Sequence, residues 1–205
     1  MRPDRLNRRR YSLYAPGYDF AARLLTAPRR AAVESLHLRP GERLLIVGCG
    51  TGLDLDFVPR GVVVTGLDIA PGMLARARTR AARLGHAATL LDADARALPF
   101  PAAGFDVAIL HLILAVAPEP ERIARETARV LRPGGRVSIF DKFLPDAAAP
   151  SPLRRLLNLP LRALFSDFNL RAGPLVAAAG WVVDSDVPAG FRGLYRRIRL
   201  HAPPR

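Results

Sequence analysis

The chain is 205 residues long and half apolar, with one cysteine and a formal net charge of +13. A chain of this length forms one domain burying about 70% of its unfolded surface, and a lone cysteine excludes an intramolecular disulfide, as expected in a reducing cytoplasm. No run approaches the ~20 uninterrupted apolar residues of a spanning helix, and Met1-Arg2-Pro3-Asp4-Arg5 leads into no apolar export signal.

Residues 1–40 read as a helical cap with apolar positions Phe20, Leu24, Leu25, Val33 and Leu36, a break at Pro28 and an end at Pro40-Gly41. From residue 41 to 144 apolar runs and helical patterns alternate, which predicts a doubly wound parallel sheet. Strands are expected near 43–47, 62–67, 88–91, 105–110 and 136–141. Helices are expected near 53–58, 71–84 and 119–131. Pro133-Gly134-Gly135 supplies the turn into the fifth strand. Residues 145–171 interrupt the alternation. A proline- and alanine-rich loop there precedes a basic amphipathic stretch at 153–165, read as a lid or substrate insertion. Residues 172–205 give a helix near 172–179, then strands at 181–183 and 194–200 forming an antiparallel edge hairpin.

The first strand ends in Val47-Gly48-Cys49-Gly50-Thr51-Gly52, and a second apolar run, from Val62 to Leu67, ends in Asp68. Glycines at alternate positions let a nucleotide-like ligand approach the backbone. A carboxylate at the tip of the second strand accepts two hydroxyl hydrogen bonds from a ribose. The pattern is GxGxG, with Leu53 where a dinucleotide fingerprint needs its third glycine. Asp54 and Asp56 follow, and they would repel a pyrophosphate at this position. A nucleoside carrying a cationic sulfur suits those acids better, which points to S-adenosylmethionine.

These motifs resemble the class I S-adenosylmethionine-dependent methyltransferases. The likeness extends through Asp68-Ile69-Ala70-Pro71-Gly72-Met73-Leu74, Asp94-Ala95-Arg96-Ala97-Leu98-Pro99-Phe100, Gly104-Phe105-Asp106-Val107 and Val130-Leu131-Arg132-Pro133-Gly134-Gly135-Arg136. It implies a Rossmann-like doubly wound seven-stranded sheet, S-adenosylmethionine as methyl donor, S-adenosylhomocysteine as product, and no metal. Tyr11-Ser12-Leu13-Tyr14-Ala15-Pro16-Gly17-Tyr18-Asp19 is similar to the opening of bacterial phosphatidylethanolamine N-methyltransferases and, less closely, of quinone-biosynthesis (ubiquinone/menaquinone) methyltransferases.

The resemblance assigns Gly48, Gly50 and Gly52 to close cofactor approach, with Cys49 as a small residue beneath it. Asp68 would hold the ribose, or merely cap the helix at Pro71. Asp94 and the N–H of Ala95 would recognise adenine, Asp94 being otherwise a solvated loop acid. Ile69 and Met73 would flank the ring, or belong to the core. His111 and Tyr18 are the candidate catalytic side chains, set against plain packing roles for both. Asp167 and Asn169 are candidates for holding a polar acceptor head. One departure stands out: the family places an acid two residues before the first glycine to hold the cofactor's ammonium, and this chain has Ile46, leaving backbone carbonyls, Asp54 or Asp56, or no partner at all.

Lys142 is the only lysine, so much of the positive charge reads as an arginine-rich coding bias. Arginines nevertheless crowd both ends, at Arg2, Arg5, Arg8, Arg9, Arg10 and at Arg192, Arg196, Arg197, Arg199, Arg205. With the stretch at 153–165 they suggest peripheral contact with an anionic membrane on its inner face. The favoured acceptor is the amine headgroup of a phospholipid. The alternatives are a quinone precursor or soluble small molecule, and an RNA-binding or vestigial methyltransferase fold. Nucleic acid is disfavoured because His111-Leu112-Ile113-Leu114 stands where base-amine methylation uses Asn/Asp-Pro-Pro-Tyr.

Overall fold

The computed structural model describes residues 23–144, 167 and 169–204. Seven strands form one sheet: β1 (Arg43–Val47), β2 (Val63–Asp68), β3 (Ala88–Asp92), β4 (Phe105–His111), β5 (Leu131–Lys142), β6 (Val182–Pro188) and β7 (Tyr195–His201). Their order is β3-β2-β1-β4-β5-β7-β6, parallel except that β7 runs antiparallel to both β5 and β6. The expected Rossmann-like sheet with its antiparallel edge hairpin is therefore present. After β1 the chain builds outward to β2 and β3, then returns to place β4 on the other side of β1. That reversal leaves a crevice beyond the C-terminal ends of β1 and β4.

The inner strands are apolar on both faces because helices cover both. Alternation sorts them: Leu44, Ile46, Val107 and Ile109 pack on one side with Val33, Leu36, Leu74 and Ala77. Leu45, Val47, Ala108 and Leu110 pack on the other with Ile123, Ala124 and Leu175. The helices are α1 (Thr26–Glu34), α2 (Pro71–Leu84), α3 (Pro120–Val130) and α4 (Ala172–Ala179). Helix α2 starts on Pro71, whose missing N–H costs nothing there, and stops at Gly85 in the left-handed region (φ +71). On α3, Ile123, Ala124, Thr127 and Val130 recur at helical spacing and form its buried stripe.

Several boundaries differ from expectation for local reasons. Pro28 lies in the first turn of α1 and does not break it, since no intrahelical partner exists for an N–H at that position. The helix expected at 53–58 is a 3-10 turn, Leu53–Phe57. Pro59 biases Val58 to the extended conformation it adopts (ψ 127) and stops the turn before it can lengthen. Strand β5 begins at Leu131, earlier than expected, and carries Pro133-Gly134-Gly135 within it. Its pairing to β4 shifts register between Phe105 and Val107. Trp181 sits before β6 and is buried in the core on the α3 and α4 side. Tyr18, the N-terminal arginines and the basic stretch at 153–165 lie outside the described residues.

Ile46 is 1% exposed and packs with Leu36, Val64 and Ile109. An acid there faces that apolar cluster. Ile46→Asp is therefore expected to lower the unfolding free energy by about 3–5 kcal/mol, the cost of an uncompensated buried charge, read as a fall in the urea midpoint. An unchanged midpoint would show that the carboxylate reaches solvent or a partner.

Candidate functional site

A cleft of about 790 Å3, partly open to solvent, lies over the C-terminal ends of β1, β2 and β4. Its walls hold Gly48, Gly50, Asp68, Ile69, Met73, Asp94, Ala95 and His111, gathering eight of the residues singled out from sequence.

The glycine turn explains the shape. Gly50 has φ +53, and a Cβ added to it would meet no protein atom within 4 Å, so its open side is free for a ligand. Gly48 (φ +67) lies so close to Ile113 that a Cβ would come within 2.3 Å of Ile113 Cδ1. Gly52 and Cys49 stand apart from the cleft. A Cβ at Gly52 would fall 3.2 Å from the Ala77 backbone, so this glycine serves the close seat of α2. The Cys49 side chain turns inward, where a Cβ on Gly66 would lie 3.3 Å from its Sγ. Burial drives its thiol well above the ordinary range, with the nearby Asp68 and Asp54 charges adding to the effect. It is an inert core residue.

Asp68 ties the turn to β2. Its Oδ2 accepts the Gly50 N–H at 2.9 Å and its Oδ1 accepts the Ala70 N–H at 2.9 Å. Burial pushes this carboxyl up, against the lowering effect of those backbone donors. The Ile69 N–H also bonds this carboxyl; a carboxylate has about four lone-pair sites, so room remains for a ligand hydroxyl. Asp94 is engaged differently. Arg96 grips it with Nε and Nη2, the latter at 2.7 Å, and its own N–H adds a bond at 2.8 Å. Those bonds hold Asp94 below the usual carboxylate range. Arg96 also lines the cleft and reaches Glu119 at 3.0 Å, bridging the loops after β3 and before α3. An adenine amine must share Asp94 with this guanidinium.

His111 does not have the geometry of a base. Its Nδ1 bonds Asp54 Oδ1 at 2.7 Å and its Nε2 bonds Ser138 Oγ at 2.9 Å. Its side chain has zero exposure while the whole residue is 4% exposed, so only its backbone borders the cleft. Both ring nitrogens are occupied away from any acceptor. Asp54 in turn pairs with Arg29 at 2.9 Å, and Asp56 with Arg80 at 2.6 Å. Neither carboxylate lines the cleft, so neither meets the role of ammonium partner. Asp167 and Asn169 also lie off it: the Asp167 N–H donates to Ala115 O at 2.6 Å, and its Oδ1 accepts the Asn169 N–H at 2.8 Å, closing a turn on itself.

Two residues escaped the sequence reading. Asp141, fully buried, accepts the N–H groups of Ala115 (3.1 Å) and Lys142 (2.8 Å), which fixes the loop carrying Leu112, Ile113, Val116 and Ala117 into the cleft wall. Arg29 is buried at 4% exposure on α1 and answers Asp54 across 25 positions of sequence. Neither belongs to a local motif.

Burial alone would raise the Asp54 carboxyl, but the Arg29 guanidinium and the His111 ring hold it well below the usual range. A depressed folded-state value stabilises the protein fully above the unfolded-state value of about 4 and loses that contribution as the pH falls beneath it. Acid titration of unfolding free energy should therefore drop steeply below about pH 4. In Asp54→Asn that part of the slope should flatten while stability at neutral pH falls. An identical acid slope in the variant would contradict the pairing.

Residues 45–139 match the model of a family described as a methyltransferase domain. The phosphatidylethanolamine N-methyltransferase of Cereibacter sphaeroides is 40% identical over 148 residues, spanning 69% of this chain and 72% of its own. The demethylmenaquinone methyltransferase of Thermus thermophilus is 37% identical over 148 residues, spanning 68% and 67%. Among solved structures, the 4+2 cyclase SpnF superposes with a TM-score of 0.74 at 22% identity, over 88% of this chain and 82% of its own. A SAM-dependent methyltransferase from Aquifex aeolicus superposes with 0.67 at 21% identity, over 93% and 97%. At those identities the structural likenesses speak for fold alone.

Proposed function

The chain belongs to the class I S-adenosylmethionine-dependent methyltransferases, and on that premise we propose that its acceptor is the amine headgroup of a phospholipid of the phosphatidylethanolamine type. The observation that carries this reading is the 40% identity to a phosphatidylethanolamine N-methyltransferase across two-thirds of the chain. The opening from Tyr11 to Asp19, which resembles the opening of such enzymes, supports the same reading. A quinone precursor is the second reading, favoured by the 37% identity to a demethylmenaquinone methyltransferase.

The cleft suits the donor. Gly48 and Gly50 would let it lie against the backbone, Asp68 would take the ribose hydroxyls, and Ile69 and Met73 would flank adenine. Asp94, shared with Arg96, and the Ala95 N–H would read the edge of the ring. When bound, S-adenosylmethionine supplies an electrophilic methyl group on a cationic sulfur. The residues of this chain contribute placement and exclusion of water, for which Leu112, Ile113, Val116 and Ala117 provide apolar walls. A neutral amine brings its own lone pair, so no dedicated base is required. That agrees with a His111 ring bonded elsewhere. Tyr18 is the remaining candidate to touch the acceptor nitrogen.

No helix among the described residues is long and apolar enough to cross a membrane. Contact with lipid would therefore be peripheral, through the arginine-rich ends and the amphipathic stretch at 153–165.

Incubation with radiolabelled methyl donor and vesicles of phosphatidylethanolamine should label the lipid, and a quinone-precursor extract should stay unlabelled. Label confined to the quinone fraction overturns the phospholipid reading. In the same assay Asp68→Ala should raise the Kd for donor at least tenfold, since losing a charge-assisted hydrogen bond costs about 1.5–3 kcal/mol.

A further inference from the structure

Four polar side chains unused by this chemistry form a closed cluster beneath the cleft. Arg29 comes from α1, Asp54 from the 3-10 turn, His111 from the end of β4 and Ser138 from β5, and they are respectively 4%, 3%, 4% and 1% exposed. Arg29 Nη1 donates to Asp54 Oδ2 at 2.9 Å, and His111 Nδ1 donates to Asp54 Oδ1 at 2.7 Å, because an ionised carboxylate only accepts. His111 Nε2 and Ser138 Oγ lie 2.9 Å apart, and Ser138 Oγ lies 3.3 Å from Ala32 O, which returns the chain of bonds to α1. The His111 ring also stands edge-on to Phe140 at 5.8 Å.

Cohesion does not account for this arrangement. Helix α1 already packs Ala32 and Val33 into apolar clusters. Taking an ion pair out of water costs several kcal/mol per ion, and apolar side chains of similar volume often hold a fold as well or better. A hydrogen-bonded polar cluster supplies position instead, since each hydrogen bond fixes distance and direction.

Two of the four adjoin the elements that shape the cleft. Asp54 follows the glycine turn two residues after Gly52. His111 presents its backbone to the cleft, and its neighbour Leu112 is held at φ +59, a left-handed conformation costly for a residue with a side chain. Helix α1 itself contributes no residue to the cleft wall.

We propose that Arg29, Asp54, His111 and Ser138 are positioning residues that join the seat of α1 to the glycine turn and the His111 backbone, so that donor binding and docking of α1 are thermodynamically linked. The inference rests on the cleft being the S-adenosylmethionine site. By reciprocity, a donor that favours the ordered turn must also favour the docked helix, by the same factor.

Hydrogen exchange of the wild-type protein, with and without saturating S-adenosylhomocysteine, reads the link directly. Exchange of the α1 amides should slow about tenfold, although the ligand does not touch them. Arg29→Lys keeps the charge and loses the planar fork. It should weaken S-adenosylhomocysteine about tenfold by calorimetry, leave the KM for phospholipid unchanged, and abolish the transmitted protection of α1. Unchanged α1 exchange in wild type with ligand bound overturns the link, and so does wild-type affinity in a folded Arg29→Lys. If that variant fails to fold, the wild-type exchange comparison decides. Absence of any binding heat in wild type removes the donor reading itself, and the link with it.

Discussion

Backbone N–H groups converging on one carboxylate set the geometry of the cleft. Gly50 and Ala70 each donate to Asp68 at 2.9 Å, while the Cys49 N–H donates to Leu67 O at the same distance. The glycine turn after β1 and the tip of β2 are thereby one rigid unit. Burial disfavours the Asp68 charge, and the backbone donors of Ala70, Gly50 and Ile69 favour it. Hydroxyl donors from a ligand would complete the shell, so the site gains most from a molecule carrying a diol.

That unit was legible because its signals are local. Glycines at 48, 50 and 52 follow an unbroken apolar run, and an acid ends the next run. Strand positions, the sheet class and the edge hairpin followed from the same alternation of apolar runs and turn residues. What was not legible depended on contacts that the local pattern does not carry. His111 read as a candidate base from its place after β4, but its ring is claimed by Asp54, 57 positions away, and by Ser138. Asp94 read as an adenine acceptor, but its motif gives no sign that Arg96, two residues on, grips the same carboxylate. Cys49 and Gly52 lie in the right turn, yet turn geometry sends one side chain into the core and the other position against α2.

The large positive charge is partly absorbed by internal pairing. Arg136 binds Glu42 at 2.6 Å, Arg129 binds Glu126 at 2.8 Å, and Arg196 binds Asp186 at 2.8 Å. Exposed pairs of this kind contribute about 0–1 kcal/mol each, so they chiefly neutralise local repulsion. The fold itself does not name a reaction: a cyclase and a methyltransferase superpose on this chain almost equally well. The assignment of methyl transfer therefore rests on sequence relationship over the cofactor core. The choice of acceptor rests on residues farther from it.

A crystal structure of the protein with S-adenosylhomocysteine tests the donor site most directly. The ribose hydroxyl oxygens should lie within about 2.6–3.2 Å of the Asp68 carboxylate, with the nucleoside running over Gly48 and Gly50. Ligand bound elsewhere, or a ribose pointing away from Asp68, would contradict the assignment of this cleft.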